Sequence, residues 1–421
     1  MIALRLHLRT LPFWWIQPPL LALALAILLP RYGYWVGNWP ETGAATQVSA
    51  FYLSVVAAGV AAWTSGSATR HRLAEQSAAS SVPTAGVEAC RLAAVTILLL
   101  LPYFLATAVA FTATSRTFPP GIQLWFGYVL MGLILLLLAI TWGWLLGKFL
   151  TPTYAGFVAS LSWFAFLAFQ GAAADLSVAT GPAWKQPDPQ AIAVRLIFLA
   201  IFVGVTVWAP RKQTRLPESR NGLVLPALGA VSVVLAITAT QGVSDRSAPP
   251  DPLCVNGNIE ICLWPEDVKY VPLVHDIDRR LSALPSHWRL PERLHQYGLK
   301  QQQIDDGGTT STQLVGDFQI SDGNKWGLAL GVSNAVISRT LESCDWDAVR
   351  QAGDFSPEAL RKWVEFYLAD SGTPAYRTSD VSPGMRKAWS QAFEAFTGMS
   401  PDQQSVWTRQ QLDRVQAKYC A

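Results

Sequence analysis

Charged residues are scarce in this sequence. Only 14% of its 421 residues are charged and 51% are hydrophobic, and it holds just 5 His and 4 Met. Soluble globular domains contain about 25% charged residues. The composition therefore argues against an ordinary soluble protein and indicates an integral membrane protein.

The long hydrophobic runs contain no Asp, Glu or His. Apart from Lys148, one residue before the end of its run, Arg195 is the one Lys or Arg inside them. An ion-coupled carrier or proton pump usually keeps an acidic group or a histidine within the membrane, because coupling needs a group that binds and releases charge there. A proton-driven mechanism is therefore not expected. We expect Arg195, close to the end of its run, to reach the membrane surface with its charged head.

Several catalytic motifs are also missing. The chain has no G-x-x-x-x-G-K-[ST], so it has no phosphate-binding loop and cannot power transport by itself. It also has no H-E-x-x-H, C-x-x-C, G-x-S-x-G or S-x-x-K motif. We therefore expect no enzymatic activity, no metal and no cofactor. The weak candidates for metal ligands are His275, Asp276, Asp278, His287, Glu292 and His295, with Glu292 and His295 expected on one helical face.

What is present is a series of apolar runs. The last of them, residues 223–240, has no charge over 18 residues, which gives a helix of roughly 27 Å, close to the hydrocarbon thickness of a bilayer. The sequence predicts a transmembrane domain over residues 1–240, a proline-rich linker over 241–252 and a second domain over 253–421. The predicted spans are 11–29, 51–64, 92–113, 123–149, 154–173, 191–209 and 223–240.

The distribution of Lys and Arg predicts the orientation. With the N-terminus in the cytoplasm, segments on the inside carry ten of these residues and segments on the outside carry four. We expect a multi-pass protein of the cell membrane with an extracytoplasmic C-terminal domain. The basic residues of the first 240 positions then face anionic lipid, and no nucleic-acid partner is expected.

Four of the five cysteines, Cys254, Cys262, Cys344 and Cys420, fall in the C-terminal domain. An even number in a domain expected outside the cell favours disulfides. Four cysteines allow three connectivities, and we favour Cys254 with Cys262 and Cys344 with Cys420. Buried free thiols remain the alternative.

The C-terminal domain is predicted to be mainly α-helical with one β-hairpin. The hairpin is expected to turn at Asn256 and Gly257 between two apolar runs. Three Ser-Pro pairs, at Ser356, Ser382 and Ser400, predict helix starts in which the serine caps the helix. Residues 305–312 are expected to form a polar loop, and residues 314–320 a strand.

The longest cytoplasmic loop joins the second and third spans. Its Ala-rich stretch, residues 68–79, predicts a short helix that begins with Arg70, His71 and Arg72 and ends before Pro83. Such a helix can rest on anionic headgroups or fit a groove on a partner protein. A solvated loop whose arginines only set the topology is the simpler interpretation.

A span ending at Trp63, a turn of small residues, an Arg-rich helix, the Ser-Ser-x-Pro83 stop and Cys90-Arg91 resemble ABC-2-type ABC transporter permeases of actinobacteria. The resemblance covers roughly residues 11–209 and implies a permease-like subunit that works with a separate ATPase subunit, as a homodimer or with another permease. The short helix is then similar to a coupling helix that contacts the ATPase. The residues to which this contact carries over are Arg70, His71, Arg72, Leu73 and Glu75.

The seventh span and the external domain depart from the simplest permeases of that type. A different hypothesis is therefore a membrane-anchored extracytoplasmic binding or sensor protein without transport activity. A third is a membrane-bound hydrolase or metalloprotein, which would require metal in the purified domain.

Overall fold

The computed structural model describes residues 12–70, 84–151, 153–170, 180–209, 241–306, 309–320, 325–371 and 381–420. The chain forms two compact units, Met1–Asp245 and Arg246–Ala421. We call them the helical unit and the second unit.

In its described part, the helical unit consists almost entirely of apolar helices. Short 3-10 turns at Pro12–Ile16 and Leu29–Arg31 flank the first of them. The helices are α1 Gln17–Leu28, α2 Tyr32–Trp35, α3 Trp39–Arg70, α4 Thr84–Ser115, α5 Ile122–Phe149, α6 Ala155–Gln170 and α7 Pro189–Trp208. Strands β1 Lys185–Pro187 and β2 Val243–Asp245 form a two-stranded antiparallel sheet.

Five helical stretches in the described part are long and apolar enough to cross a membrane. They are Trp14–Trp35, Trp39–Ser67, Thr84–Ser115, Ile122–Phe149 and Pro189–Trp208. The apolar stretch Ala155–Phe169, where a fifth span was predicted, is shorter. The predicted seventh span, residues 223–240, lies outside the described residues. The chain therefore has the architecture of a helical membrane protein.

Helix α3 begins 12 residues before the predicted start of the second span, at Trp39. Its first turn is capped by Asn38, whose Oδ1 accepts from the backbone N–H of Glu41. The predicted second span, 51–64, left out the polar residues that follow, although residues 46–48 were allowed to join it. They are buried against other helices instead, and Gln47 donates through Nε2 to the carbonyl of Tyr128. Polar groups satisfied within a bundle are compatible with a spanning helix.

Helices α3 and α5 approach each other very closely. A Cβ added to Gly143 would lie 2.0 Å from the carbonyl oxygen of Ala58, and one added to Gly147 would lie 2.3 Å from that of Ala62. The two glycines form a G-x-x-x-G pattern, which allows helix backbones to come together in membranes. At these two glycines, the backbones of α3 and α5 therefore pack directly against each other, and we call this contact the seam.

The helical unit has two distinct ends. At the Trp39 end, Trp39 donates to the carbonyl of Pro119, the N–H of Gly181 donates to Glu41, and β1 pairs with β2. At the opposite end, which we call the Lys148 end, the start of α4 and the ends of α5 and α7 come together. Helix α7 therefore ends at the Lys148 end of the helical unit, whereas β2 lies at the Trp39 end.

The second unit combines short strands with six helices in its described part. The strands are β3 Leu253–Asn256, β4 Glu260–Leu263, β5 Arg293–His295, β6 Lys300–Asp306 and β7 Thr309–Val315. A 3-10 segment, Pro265–Tyr270, precedes the helices α8 Val271–Ser282, α9 Lys325–Thr340, α10 Trp346–Gln351, α11 Ser356–Ala369, α12 Pro383–Gly398 and α13 Pro401–Tyr419. Sheet β3-β4-β5 is mixed, and β6 pairs with β7 as a separate antiparallel hairpin.

The spacing of apolar residues after the three Ser-Pro pairs predicts buried stripes in the last helices. Most of these stripes are confirmed, but Phe393 of α12 is exposed. Leu360, Trp363 and Val364 of α11 are buried in one core with Leu412 and Val415 of α13. These helices pack because their apolar residues recur at helical spacing.

Several local predictions for this unit were wrong. The β3–β4 hairpin exists, but Asn256 pairs with Glu260, so its loop has three residues and not two. Asp278 fixes this loop by accepting from the backbone N–H of Asn258. His295 lies on a strand and not on a helix, and the polar loop expected at 305–312 belongs to the β6–β7 hairpin.

Two of the three predicted serine caps are present. Ser382 and Ser400 accept from backbone N–H groups of the first turns of α12 and α13. Ser356 is different, because it is the first residue of α11 and its own N–H donates to Asp354. Asp354, two residues earlier, therefore satisfies a backbone N–H that has no partner within the helix.

Candidate functional site

The Lys148 end of the helical unit contains a buried cation. Lys148 is in the last turn of α5 and is only 4% exposed. Its Nζ donates to the carbonyl oxygens of Thr206, Val207 and Ala209 at distances of 2.6, 3.3 and 3.0 Å. The last carbonyls of a helix have no partner within it and carry a partial negative charge. Lys148 therefore satisfies and holds the C-terminus of α7.

An acidic residue from α4 completes this group. Glu88 Oε2 lies 3.7 Å from Lys148 Nζ and accepts from Trp144 Nε1 at 3.2 Å. Arg91 lies 3.5 Å from the other carboxylate oxygen and stacks over the ring of Trp144 at 5.6 Å. We call Glu88, Arg91, Trp144 and Lys148, with the last carbonyls of α7, the Lys148 junction.

The junction joins three helices through directional contacts. Glu88 and Arg91 come from α4, Trp144 and Lys148 from α5, and the carbonyls from α7. Charged hydrogen bonds in a buried setting are among the stronger contacts in a protein. A displacement of the start of α4 must therefore either move α5 and α7 with it or break these bonds.

The residues predicted to contact an ATPase lie just before this junction in the chain. Arg70 is the last residue of α3. His71, Arg72, Leu73 and Glu75 fall outside the described residues. The segment that contains them connects the end of α3 to the start of α4, four residues before Glu88.

Arg195, expected to extend toward the membrane surface, is instead buried within α7 and only 2% exposed. Arg195 lies near the start of α7, which suggested an exposed side chain. In the structure it is one of the buried residues of this helix. Glu41 is similarly buried at the Trp39 end. Buried ionisable groups therefore occur at more positions in the described helices than the sequence alone indicated.

In the second unit, Cys254 is joined to Cys262 and Cys344 to Cys420. These are the two pairs favoured from the sequence. The first disulfide crosses the β3–β4 hairpin, where the two residues are directly opposite each other. The second ties the end of α13 to the residues after α9 and leaves Cys90 as a free, half-buried thiol in α4.

The six residues considered as metal ligands are spread over separate structures. Asp278 holds the hairpin loop, Asp276 pairs with Arg280, and His287 Nε2 lies 3.1 Å from Thr408 Oγ1. Burial lowers the pKa of His287 and of His295, so both are mainly neutral at pH 7. Within the described residues, these six side chains do not form a metal-ligand group.

The second unit has a surface cavity of about 400 Å³, within the size range of small-molecule sites. It lies between α9, α10, the start of α11 and α12. Its lining mixes apolar side chains with an amide, a hydroxyl, two guanidinium groups and the carboxylates of Asp354 and Glu358. The residues that carry these features are Ile337, Trp346, Val349, Phe355, Met385, Asn334, Ser338, Arg350 and Arg361.

One wall of this cavity belongs to a buried ionic network. Arg361 pairs with Glu358 and Glu365, and Lys362 Nζ lies 2.9 Å from Glu365 Oε1. Trp389 also donates to Glu358. Burial lowers the pKa of Lys362 and raises the pKa of Glu365. The network fixes α11 against α12 and gives the cavity a rigid wall.

The Lys148 junction was not found from the sequence. In the sequence, Lys148 is one of the ten basic residues expected on the inside, and no motif marks Glu88. The available pattern was a Lys in the last turn of one span, an acid at the start of another and a G-x-x-x-G one residue before the lysine. No protein-family model, no curated protein and no solved structure matches the chain.

Proposed function

We propose that the chain is a permease-like transmembrane subunit of an ABC transport system, driven by a separate ATPase subunit. The observation that carries this proposal is the Lys148 junction. Its Glu88 lies near the start of α4, the helix that follows the segment with Arg70 and Arg72 in the chain, and the junction connects α4 to two further apolar helices.

The mechanism requires no chemistry in this chain. Closure of the ATPase subunits pushes the segment between α3 and α4. On one side, α3 transmits the push to α5 through the close seam at Gly143 and Gly147. On the other side, α4 transmits it through Glu88 to Lys148, and thereby to the end of α7. The helices then tilt together between inward and outward openings, because packed helices move as rigid bodies.

In this proposal the Lys148 end faces the cytoplasm, and the second unit lies outside the cell membrane. Ten of 14 basic residues in the first 240 positions fall on the proposed inner side. Ala209 lies at the Lys148 end and Val243 at the Trp39 end. Between these two residues the chain passes from one end of the helical unit to the other, and the proposal assigns this crossing to a seventh span at 223–240.

The orientation can be tested by labelling with a maleimide that does not cross membranes, in a Cys90→Ser background. Arg116→Cys at the end of α4 should react in intact cells. Ser67→Cys at the opposite end of the helical unit should react only after the membrane is opened. The reverse pattern would invert the proposed orientation.

The partners are an ATPase and a second permease subunit, which is another copy of this chain or a related one. The test is purification in mild detergent from native membranes, with identification of co-purifying proteins and an ATPase assay. We expect an ATP-binding protein to co-purify with the wild type and to be lost with Arg70→Ala and Arg72→Ala combined. Arg116→Ala, an exposed arginine at the other end of α4, is the matched control and should retain it.

A preparation without any ATPase, together with full function of the Arg70 and Arg72 double variant, would contradict the proposal. Loss of the partner in Arg116→Ala as well would show that the effect is not located at the loop.

The cavity of the second unit supports one other function, a membrane-anchored extracytoplasmic binding or sensor protein. That function predicts that residues 246–421 fold alone and retain all of the binding activity. It also predicts that the spans can be replaced by an unrelated anchor without loss of function. The permease proposal predicts that this replacement abolishes function.

A further inference from the structure

A second group of chemically active side chains lies in the second unit, on the sheet β3-β4-β5. The sulfur atoms of Cys254 and Cys262 and a carboxylate oxygen of Glu260 all lie within 4.8 Å of one another. Among the described residues, this is the one group of three or more His, Cys, Asp or Glu side chains so close together.

The fold places these side chains on one face of the sheet. Cys254 and Cys262 are directly opposite in the antiparallel pair. Glu260 precedes Cys262 by two residues on β4, so its side chain is on the same face. Arg293 on β5 is paired with Glu260 and forms an ion pair with it. The arrangement is therefore set by backbone pairing and not by flexible side chains alone.

Two thiolates and a carboxylate are ligands for Zn²⁺ and similar divalent ions. In the oxidised protein the two sulfur atoms are bonded to each other and cannot serve. We propose that reduction of the Cys254–Cys262 disulfide creates a zinc-type metal site with Cys254, Cys262 and Glu260 as its ligands. The remaining coordination position is open to water or to a group from a partner.

The redox step requires a dithiol reductant outside the membrane. One thiolate of the reductant attacks the Sγ atom of Cys254, the less buried of the two residues, and Cys262 leaves as a thiolate. The second thiolate of the reductant then attacks the mixed disulfide and releases Cys254. Two electrons and two protons reach the cysteines, and the reductant becomes a disulfide. Binding of the metal ion then releases the two thiol protons.

The other disulfide provides an internal comparison. Cys344 and Cys420 are also opposite each other, in an isolated antiparallel bridge. In the part of the chain that the structure describes, no third ligand side chain forms a group with them. Reduction of this pair should therefore not create a site of comparable affinity.

The experiment uses the full-length protein in detergent, with Co²⁺ as a spectroscopic probe. After reduction and anaerobic removal of the reductant, we expect a thiolate-to-cobalt charge-transfer band at one equivalent of metal. The band should be absent from the oxidised protein and from Cys254→Ser, and retained in Cys344→Ser/Cys420→Ser. Glu260→Gln should weaken binding about tenfold or more, because even the loss of a residue that only supports a ligand typically costs about 10–100-fold in metal affinity.

A second measurement avoids reliance on variants that could misfold. In the reduced wild type, Zn²⁺ should slow the alkylation of Cys254 and Cys262 but not that of Cys344 and Cys420, as measured by mass spectrometry of peptides. No cobalt band in the reduced wild type, an unchanged band in Cys254→Ser, equal binding by Glu260→Gln, or equal alkylation of all four cysteines would overturn the proposal.

Discussion

Replacing Lys148 by methionine should destabilise the helical unit strongly. Methionine keeps the length and apolar body of the side chain but removes the charged donor. Three carbonyls at the end of α7 then lose their partner inside the protein. A buried polar group left without its hydrogen bond costs about 1–3 kcal/mol. Allowing for partial rescue by water, we expect a loss of about 3–5 kcal/mol.

The assay is thermal unfolding of the full-length protein in detergent, followed by tryptophan fluorescence. For units of this size, 1 kcal/mol corresponds to about 2–4 °C, so the Tm should fall by about 6–20 °C. Lys185→Met is the matched control, because Lys185 pairs with Asp245 while both side chains remain partly exposed. Such a surface pair contributes about 0–1 kcal/mol, and the Tm should fall by less than about 4 °C.

Glu88→Gln should cost less than Lys148→Met, because an amide oxygen can still accept from Trp144. The double variant should show that the Lys148–Glu88 pair itself contributes only about 1 kcal/mol, given its 3.7 Å separation. If Lys148→Met unfolds at the same temperature as Lys185→Met, Lys148 does not hold the end of α7. The transmission path of the proposed mechanism would then lose its main contact.

Three further predictions concern the packing of both units. Gly143→Val should separate α3 from α5 and cost about 1–3 kcal/mol in the same thermal assay, whereas the open position Gly204→Val should be nearly neutral. Burial raises the pKa of Asp354, but hydrogen bonds, the largest with Ser356, lower it from 3.8 to about 2. Since its pKa is depressed on folding, its stabilisation is present above pH 4 and disappears between about pH 4 and pH 2. Asp354→Asn should remove this part of the acid dependence. Glu365→Gln should destabilise the second unit by about 3–5 kcal/mol, because it leaves the charge of Lys362 buried, and pairing it with Lys362→Met should restore most of that loss.

The apolar helices and the disulfides could be predicted from the sequence, because both depend on local patterns. Long uncharged runs must form helices in a membrane, and each of the last three helices shows its buried stripe in its own spacing. Cys254 and Cys262 are so close in the chain that a hairpin brings them together. In each case the information lies within a few turns of the chain.

The Lys148 junction and the early start of α3 could not be predicted in that way. Gln47 and Glu41 suggest a loop when their polarity is considered alone, and only the neighbouring helices make their burial acceptable. Lys148 and the carbonyl of Thr206 are 58 residues apart, and nothing near either residue specifies the other. The sequence shows which helices form, but it does not show which polar groups form hydrogen bonds between them.

The number of buried polar groups in the helical unit helps to separate the two proposed functions. A span that only anchors a domain needs apolar residues toward the lipid and has no use for ionisable groups in its interior, which are costly there. The described helices nevertheless bury Glu41, Lys148 and Arg195. Lys148 also holds a helix end that a simple anchor could leave in water. Such bonds fix the relative positions of several helices. Helices held in this way move together when a partner pushes on one loop, and such a joint movement can open or close a transport pathway. An anchor would function equally well without them, and this favours the permease proposal over the anchor proposal.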